Sequence, residues 1–332
     1  MYEKLVSVEN LSKHFHLKKG LFSQKPICVR AVNNVSFSVY KGETVGLVGE
    51  SGCGKSTTGK TILNLLSPSS GRVCFEDRTI FDVEGKQFIS KSEMLKLRRK
   101  MQIIFQDPYA CLDPRKTIGD IVGEGLRLDT SLSPAKRTDI VRNILEKCGL
   151  GEDCLLKYPH QFSGGQRQRI GIARALSVNP QFVVCDEPTA ALDVSIQSQI
   201  LNLMIHLKKE FQLSYLFISH DLTIVENFCD RICVMYLGFI VEEAQSKELF
   251  ADPRHPYTKA LLAAVPRFGK AFSADENILE GEIPSPSNIP CGCPFHTRCP
   301  HSTDICKEKN PPLTAVNEDH KVACHLSFQK IP

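Results

Sequence analysis

Four short, mostly apolar runs punctuate this chain. Thr44-Val45-Gly46-Leu47-Val48, Met101 to Phe105, Phe182 to Cys185 and Leu216 to Ser219 have the length and composition of buried strands. Earlier, Leu5, Val6, Val8 and Leu11, and then Val35, Phe37 and Val39, read as strands with one polar face. The polar stretch Lys18 to Pro26 separates them. Between the apolar runs the pattern predicts helices over Lys55 to Leu66, from the Ser133-Pro134 start to about Cys148, from about Gln166 to Val178, and from Ser195 to Phe211. Strands alternating with helices predict a mostly parallel sheet covered on both faces. After residue 250 the texture changes: Pro253, Pro256, Pro266, Pro284, Pro286 and Pro290 interrupt the chain around one short helix, about Tyr257 to Val265. The expected division is a body of residues 1–250, mainly helical over about 107–179, and an appended segment of residues 251–332.

With 332 residues, 42% apolar and 23% charged, the chain has the composition of an ordinary globular protein of about two domains, which excludes disorder as its main state. A net charge of +4, with both signs interspersed, gives no argument for a nucleic-acid partner. No apolar run is long enough to span a bilayer, and the opening residues lack the apolar centre of a signal peptide. The expected location is therefore the cytosol, or the cytosolic face of a membrane where partners hold the chain. Fourteen cysteines then read as thiols rather than a disulfide framework. Nine scatter through residues 1–290 as small buried hydrophobes, while five crowd into residues 291–324 and need their own explanation.

Gly49-Glu50-Ser51-Gly52-Cys53-Gly54-Lys55-Ser56, followed by Thr57, fits G-x-x-x-x-G-K-[ST] between a predicted strand and a predicted helix. In that context the glycines let the backbone curl its N–H groups around a phosphate. Lys55 reaches the β- and γ-phosphates, and the Ser56 hydroxyl ligates Mg²⁺. Asp186-Glu187 closes the run Phe182 to Cys185, placing two acids at the carboxyl end of a buried strand, where open α/β sheets bind ligands. Asp186 supports the metal, and Glu187 polarises the attacking water as a general base. An acidic pair after a strand is by itself more often a helix cap; the phosphate loop is what raises the functional reading.

Phe162-Ser163-Gly164-Gly165-Gln166-Arg167 is a helix start that doubles as an anion site. Alone it is a plausible cap. Upstream of the acid pair, and in a chain that already has a phosphate loop, it resembles the ATP-binding cassette (ABC) family, over roughly residues 5 to 250. Further positions match that family's marks: Gln106 its Q-loop, Ala191-Leu192-Asp193 its D-loop, and His220 its switch histidine on the γ-phosphate. Phe15 matches the aromatic that stacks on adenine, with His14 or His16 as alternatives. Phe162 and Ala190 are mild departures from the family pattern. The resemblance implies an α/β P-loop NTPase with a RecA-like core, an N-terminal antiparallel β subdomain and a helical subdomain. It also implies a head-to-tail dimer with ATP shared between one phosphate loop and the other chain's Ser163 to Gln166. Gln106 senses the metal, and His220 the γ-phosphate.

Asp107-Pro108-Tyr109-Ala110-Cys111-Leu112-Asp113-Pro114-Arg115, Arg254-His255-Pro256-Tyr257-Thr258, Gly281-Glu282-Ile283-Pro284-Ser285-Pro286 and the cysteine tail extend the likeness to essentially the whole chain. Together they resemble the F-type ATP-binding subunit of oligopeptide/dipeptide importers. That implies a paralogous ATP-binding partner, two permease subunits and an extracytoplasmic binding protein, with the chain peripheral on the inner membrane. Related importers of nickel, glutathione or oligosaccharides share much of the pattern. The rival readings are an export motor, a soluble ABC ATPase and an iron–sulfur sensor regulated by nucleotide. The tail cysteines fall as Cys293-x5-Cys299-x6-Cys306-x17-Cys324, with Cys291 as a fifth. Spacing alone leaves a [4Fe–4S] cluster, a Zn²⁺ or plain reduced thiols open. The subfamily resemblance implies a [4Fe–4S] cluster on Cys293, Cys299, Cys306 and Cys324.

Overall fold

Alternating and continuous apolar runs became two kinds of sheet in the computed structural model, which describes residues 3–17, 27–264 and 281–326. Its strands are β1 (Lys4–Leu17), β2 (Ile27–Tyr40), β3 (Thr44–Val48), β4 (Ser70–Phe75), β5 (Arg78–Asp82), β6 (Gln87–Phe88), β7 (Met101–Ile104), β8 (Phe182–Asp186), β9 (Ser214–Ser219), β10 (Arg231–Tyr236), β11 (Phe239–Gln245), β12 (Thr314–Ala315) and β13 (Lys321–Val322). The helices are α1 (Lys55–Ile62), α2 (Lys91–Lys100), α3 (Ile118–Gly123), α4 (Pro134–Lys147), α5 (Gly164–Leu176), α6 (Val194–Phe211), α7 (Leu222–Phe228), α8 (Ser246–Ala251), α9 (Pro256–Ala263) and α10 (Asp304–Glu308). They gather into two units. The first comprises Met1–Leu5, Val39–Glu43 and Ile89–Ile218, and the second Val6–Ser38, Thr44–Phe88 and Ser219–Pro332.

In the first unit β7, β8 and β9 pair in parallel, with Met101 opposite Phe182 and Phe182 opposite Ser214. Every residue of β8 and β9 is buried, as continuous apolar strands require. Helix α6 buries Ile200, Met204 and Leu207 on one stripe, and the Tyr215 hydroxyl donates to the Met204 carbonyl at 3.3 Å. Helix α4 starts as its sequence predicts, with Pro134 in the first turn and the Ser133 hydroxyl accepting from the Lys136 N–H. Helix α5 packs against α3, α4 and α6.

The second unit holds an antiparallel run β1-β4-β5-β6, with β2 on the other side of β1. It also holds β3 and β10, paired in parallel, and then β11, β13 and β12, each antiparallel to its neighbour. The expected mostly parallel sheet is thus mixed. Crossover helices enforce parallel pairing only where they intervene, and a tight turn from Tyr236 to Phe239 makes β10 and β11 a hairpin. The helix expected to reach Leu66 stops at Ile62: Asn64 is left-handed at φ 52°, and the N–H groups of Leu65 and Leu66 both turn back to the Lys60 carbonyl. The pattern left β4, β5, β6 and α2 unassigned. Helix α2 did carry a signal, because Ser90 and Glu93 form a capping box. The Lys18 to Pro26 stretch and the Val265 end of the predicted last helix lie outside the described residues.

Seven of the nine scattered cysteines are buried; Cys28 and Cys111 are partly exposed. Burial pushes the Cys148 thiol up to about 12, consistent with an inert packing role.

The tail is joined to the second unit through charges taken out of water. Strand β13 pairs with β11, covering an open edge. Glu243 ion-pairs with Arg231 and, at 3.3 Å, with Lys321. Fully buried Glu242 accepts from the Arg254 N–H at 2.7 Å, the His255 N–H at 3.0 Å and His320 Nε2 at 2.7 Å. The other ring nitrogen of His320 faces Glu248 at 3.1 Å, so the imidazole sits between two carboxylates. Burial opposes its charge, but the hydrogen bonds and charges of Glu242 and Glu248 outweigh burial and raise its pKa. A raised folded-state pKa means this contribution is complete below about pH 6.5 and fades as pH climbs through the folded value. His320→Ala is expected to cost about 3 kcal/mol in urea unfolding at pH 6, with the gap to the parent narrowing in alkali. A gap below about 0.5 kcal/mol, or one that widens with pH, would show that the ion pair is not what fixes the tail.

Candidate functional site

Strand β3 delivers the chain to Gly49 with every strand residue buried, and α1 begins at Lys55. Between them Gly49, Gly52 and Gly54 take φ of 150°, 78° and 108°. A Cβ at Gly49 would collide with the Met235 carbonyl, and one at Gly54 with the Ala31 carbonyl. The loop can curl only because these positions lack side chains. Gly54 caps α1 in the left-handed conformation with no side-chain hydrogen bond to the first turn. Lys55 is buried and folded over the loop, with Nζ donating to the Gly49 carbonyl at 2.7 Å and the Glu50 carbonyl at 3.0 Å. Ser51 and Gly52 are exposed, Ser56 and Thr57 partly so, and Cys53 is buried with its thiol pKa raised by that burial.

Around the loop the second unit adds contacts that the motif does not contain. The Glu50 N–H donates to the Tyr257 hydroxyl at 2.9 Å, and the Glu50 carboxylate takes two hydrogen bonds from Arg298, at 2.9 and 3.1 Å. Sequence reasoning missed Arg298, because one arginine among cysteines carries no distinguishing spacing. Arg254 to Thr258 had stood out as a motif, and its roles are now physical: His255 Nδ1 caps α9 by accepting from the Tyr257 N–H, and Pro256 occupies the first turn. Burial lowers the pKa of His255 to about 4, so it stays a neutral acceptor.

Phe15 is partly exposed near the end of β1, with the Lys13 ammonium 4.7 Å from its ring centroid. His14 instead turns its Nε2 to Asn33 Oδ1 at 3.2 Å, while His16 is exposed. His220 is exposed just past β9 and beside Asp221, whose carboxylate caps α7.

The first unit carries the remaining candidates. Asp186, nearly fully buried, ends β8. The next residue, Glu187, is left-handed at φ 47°, a conformation a side chain adopts at a cost, and its N–H is held by the Ile218 carbonyl at 3.0 Å. Gln106, from the loop after β7, donates its Nε2 to Glu187 Oε2 at 2.9 Å. Two residues singled out 81 positions apart are therefore joined. Ser163 and Gln166 close a reciprocal capping box at the start of α5 and are both exposed, with Gly164 and Gly165 partly so. The stretch Ala191-Leu192-Asp193 precedes α6 and is braced by Gln197, whose Nε2 donates to the Thr189 and Leu192 carbonyls at 3.1 and 3.0 Å. A cleft of about 880 Å³ between α3 and α4, lined by Asp120, Arg127, Arg137 and Leu156 among others, contains none of these residues.

The tail cysteines also come together. Cys293 and Cys306 are buried, Cys299 and Cys324 half-buried, and Cys291 exposed. The Cys293 N–H donates to the Cys306 carbonyl at 2.8 Å. Burial first, then the neighbouring thiols, push Cys293 up to about 12 and Cys299 up to about 11; Cys324 is raised in the same way, with Cys306 as a neighbour. Among the described residues no three His, Cys, Asp or Glu groups stand close enough to chelate a single metal ion.

Two family profiles match the chain: "ABC transporter" over residues 32–190, and "Oligopeptide/dipeptide transporter, C-terminal region" over residues 241–306. The oligopeptide transport ATP-binding protein AppF of Bacillus subtilis is 47% identical over 98% of both chains. The dipeptide transport ATP-binding protein DppF of Haemophilus influenzae is 45% identical over 96% of both. Among solved structures, the ATP-binding cassette MJ0796, a dimer in a post-hydrolysis state bound to ADP and Pi, is 29% identical with a TM-score of 0.62, over 73% of this chain and 99% of its own. Among the described residues no helix is long and apolar enough to cross a membrane. The chain belongs to the ATP-binding subunits of the ABC transporter family, in the group that carries the oligopeptide/dipeptide transporter C-terminal region.

Proposed function

We propose that this chain hydrolyses ATP to drive import of oligopeptides or dipeptides. It would work on the cytoplasmic face of a membrane with a paralogous ATP-binding subunit, two permease subunits and an extracytoplasmic binding protein. One observation carries the reading: likeness to peptide-transport ATP-binding proteins runs the full length of the chain, through both the cassette and the C-terminal region. We read residues 1–250 as the cassette, with a helical part at about 107–179, and residues 251–332 as the extension. Related importers of nickel, glutathione or oligosaccharides are the alternative.

In this reading the curled backbone from Gly49 to Thr57 wraps the β- and γ-phosphates, and Lys55 leaves its loop carbonyls to meet them. Phe15 stacks on adenine. The Ser56 hydroxyl, the Gln106 amide oxygen and the Asp186 carboxylate are hard oxygen donors that suit Mg²⁺, which when bound offsets the triphosphate charge. Gln106 presents its amide nitrogen to Glu187, so its oxygen is the end that suits a metal. Water attacks the γ-phosphorus, the bond from that phosphorus to the bridging oxygen of ADP breaks, and Glu187 accepts the water proton. His220 contacts the γ-phosphate, and exposed Ser163 to Gln166 meet the partner's ATP. Contacts made only in the closed dimer let binding close it and hydrolysis release it.

Cys293, Cys299, Cys306 and Cys324 would supply four soft thiolate donors, which by chemistry suit a [4Fe–4S] cluster. Such a cluster would supply a covalent staple and a redox centre.

Glu187→Gln is expected to keep ATP binding while hydrolysis falls at least about 100-fold; near-normal turnover would remove Glu187 as the base. Gly54→Ala is expected to abolish ATP binding, because the new methyl meets the Ala31 carbonyl, whereas Gly52→Ala finds open space and should cost only about 1 kcal/mol of stability. Iron and labile sulfide, measured after anaerobic purification, are expected in near-equal amounts in the parent and in Cys291→Ser and to be lost in Cys299→Ser. A metal-free parent with its tail intact would defeat the cluster.

A further inference from the structure

The loop that would cradle the triphosphate contains a carboxylate. Glu50 is the second residue of that loop, and ATP brings several negative charges to the same cradle. Left alone, the Glu50 carboxylate would repel the phosphates and compete with them for the Lys55 ammonium, which is held at the same residue by the Glu50 backbone carbonyl at 3.0 Å. The tail resolves the conflict. Arg298 reaches Glu50 with both terminal guanidinium nitrogens, at 2.9 and 3.1 Å, the fork geometry that satisfies both carboxylate oxygens. The pair is shielded from solvent, with the Arg298 side chain 5% exposed and that of Glu50 22%.

The arm that carries Arg298 is itself held. Its N–H donates to the Phe295 carbonyl at 3.0 Å, and Phe295 packs against Tyr236, Tyr257 and His255 with ring centroids 5.2 to 5.6 Å apart. Tyr257 in turn accepts the Glu50 N–H at 2.9 Å, so the tail grips Glu50 by side chain and by backbone. Arg298 immediately precedes Cys299, and Cys293 lies five residues earlier.

We propose that Arg298 is a positioning residue of the ATPase: it neutralises and holds Glu50, which keeps Lys55 available to the incoming phosphates and makes nucleotide affinity depend on the cysteine tail. This inference rests on the phosphate-site reading above. The test is a double-mutant cycle on the full-length chain with its partner cassette, reading the Kd for a fluorescent ATP analogue with Mg²⁺, and KM and kcat for ATP. Arg298→Ala is expected to weaken binding about tenfold, mostly in KM, and to weaken it less than about threefold in a Glu50→Gln background. Arg298→Lys should fall between, because it restores the charge without the fork. A tail that merely props the fold predicts equal losses in both backgrounds, and that result, or no loss in either, would overturn the proposal. Should Arg298→Ala not fold, Arg298→Gln runs through the same cycle with the same criteria. If the parent itself binds no nucleotide, the phosphate-site reading fails and takes this inference with it.

Discussion

A peptide loop can aim several N–H groups at one point only where the backbone bends in ways that side chains forbid. Here that constraint is local and severe. Gly49 lies against the carbonyl of Met235, on a strand far away in sequence, and Gly54 against that of Ala31 on β2. The tight curl is therefore a product of what packs beneath it as well as of glycine's freedom. Lys55 is buried over the same loop with its ammonium held by two loop carbonyls.

The second unit holds several paired charges, one of them at that loop. Glu50 with Arg298, Glu243 with Arg231 and Lys321, and Glu242 with His320 are all wholly or partly removed from water. Such pairs add little net stability over apolar packing, yet breaking one leaves a buried charge uncompensated. They therefore act more as registration pins than as glue. Each fixes a part of the cysteine tail, or the strand it pairs with, to one place on the sheet. Two of the acids, Glu242 and Glu243, are neighbours on β11, facing opposite sides of the strand as a period of two demands.

The first unit stores strain instead of charge. Glu187 adopts a left-handed backbone directly after a fully buried strand, fixed by the Ile218 carbonyl and by the side-chain amide of Gln106. Strain of this kind persists where the surroundings over-determine it, and it is often found at functional sites. Ser163 and Gln166 illustrate the opposite economy. The same two side chains cap their helix and remain exposed at its tip, so the structural reading of that motif and the functional one do not compete.

The sequence by itself determined the elements whose cause is local: the strand–loop–helix around Lys55, the capped starts of α4 and α5, and the buried runs of β8 and β9. It also marked Lys55 by its motif and Glu187 by its place after a buried strand, whereas Gln106 and the set of four tail cysteines stood out only through resemblance to a known family. The tertiary structure alone decided the rest. Nothing in a run of residues states that β10 and β11 form a hairpin, that Asn64 ends α1 a turn early, or that Gln106 lies 2.9 Å from Glu187. Nor could it assign Arg298 to Glu50, 248 positions away, since a salt bridge depends on where two side chains meet and not on how either is spaced along the chain.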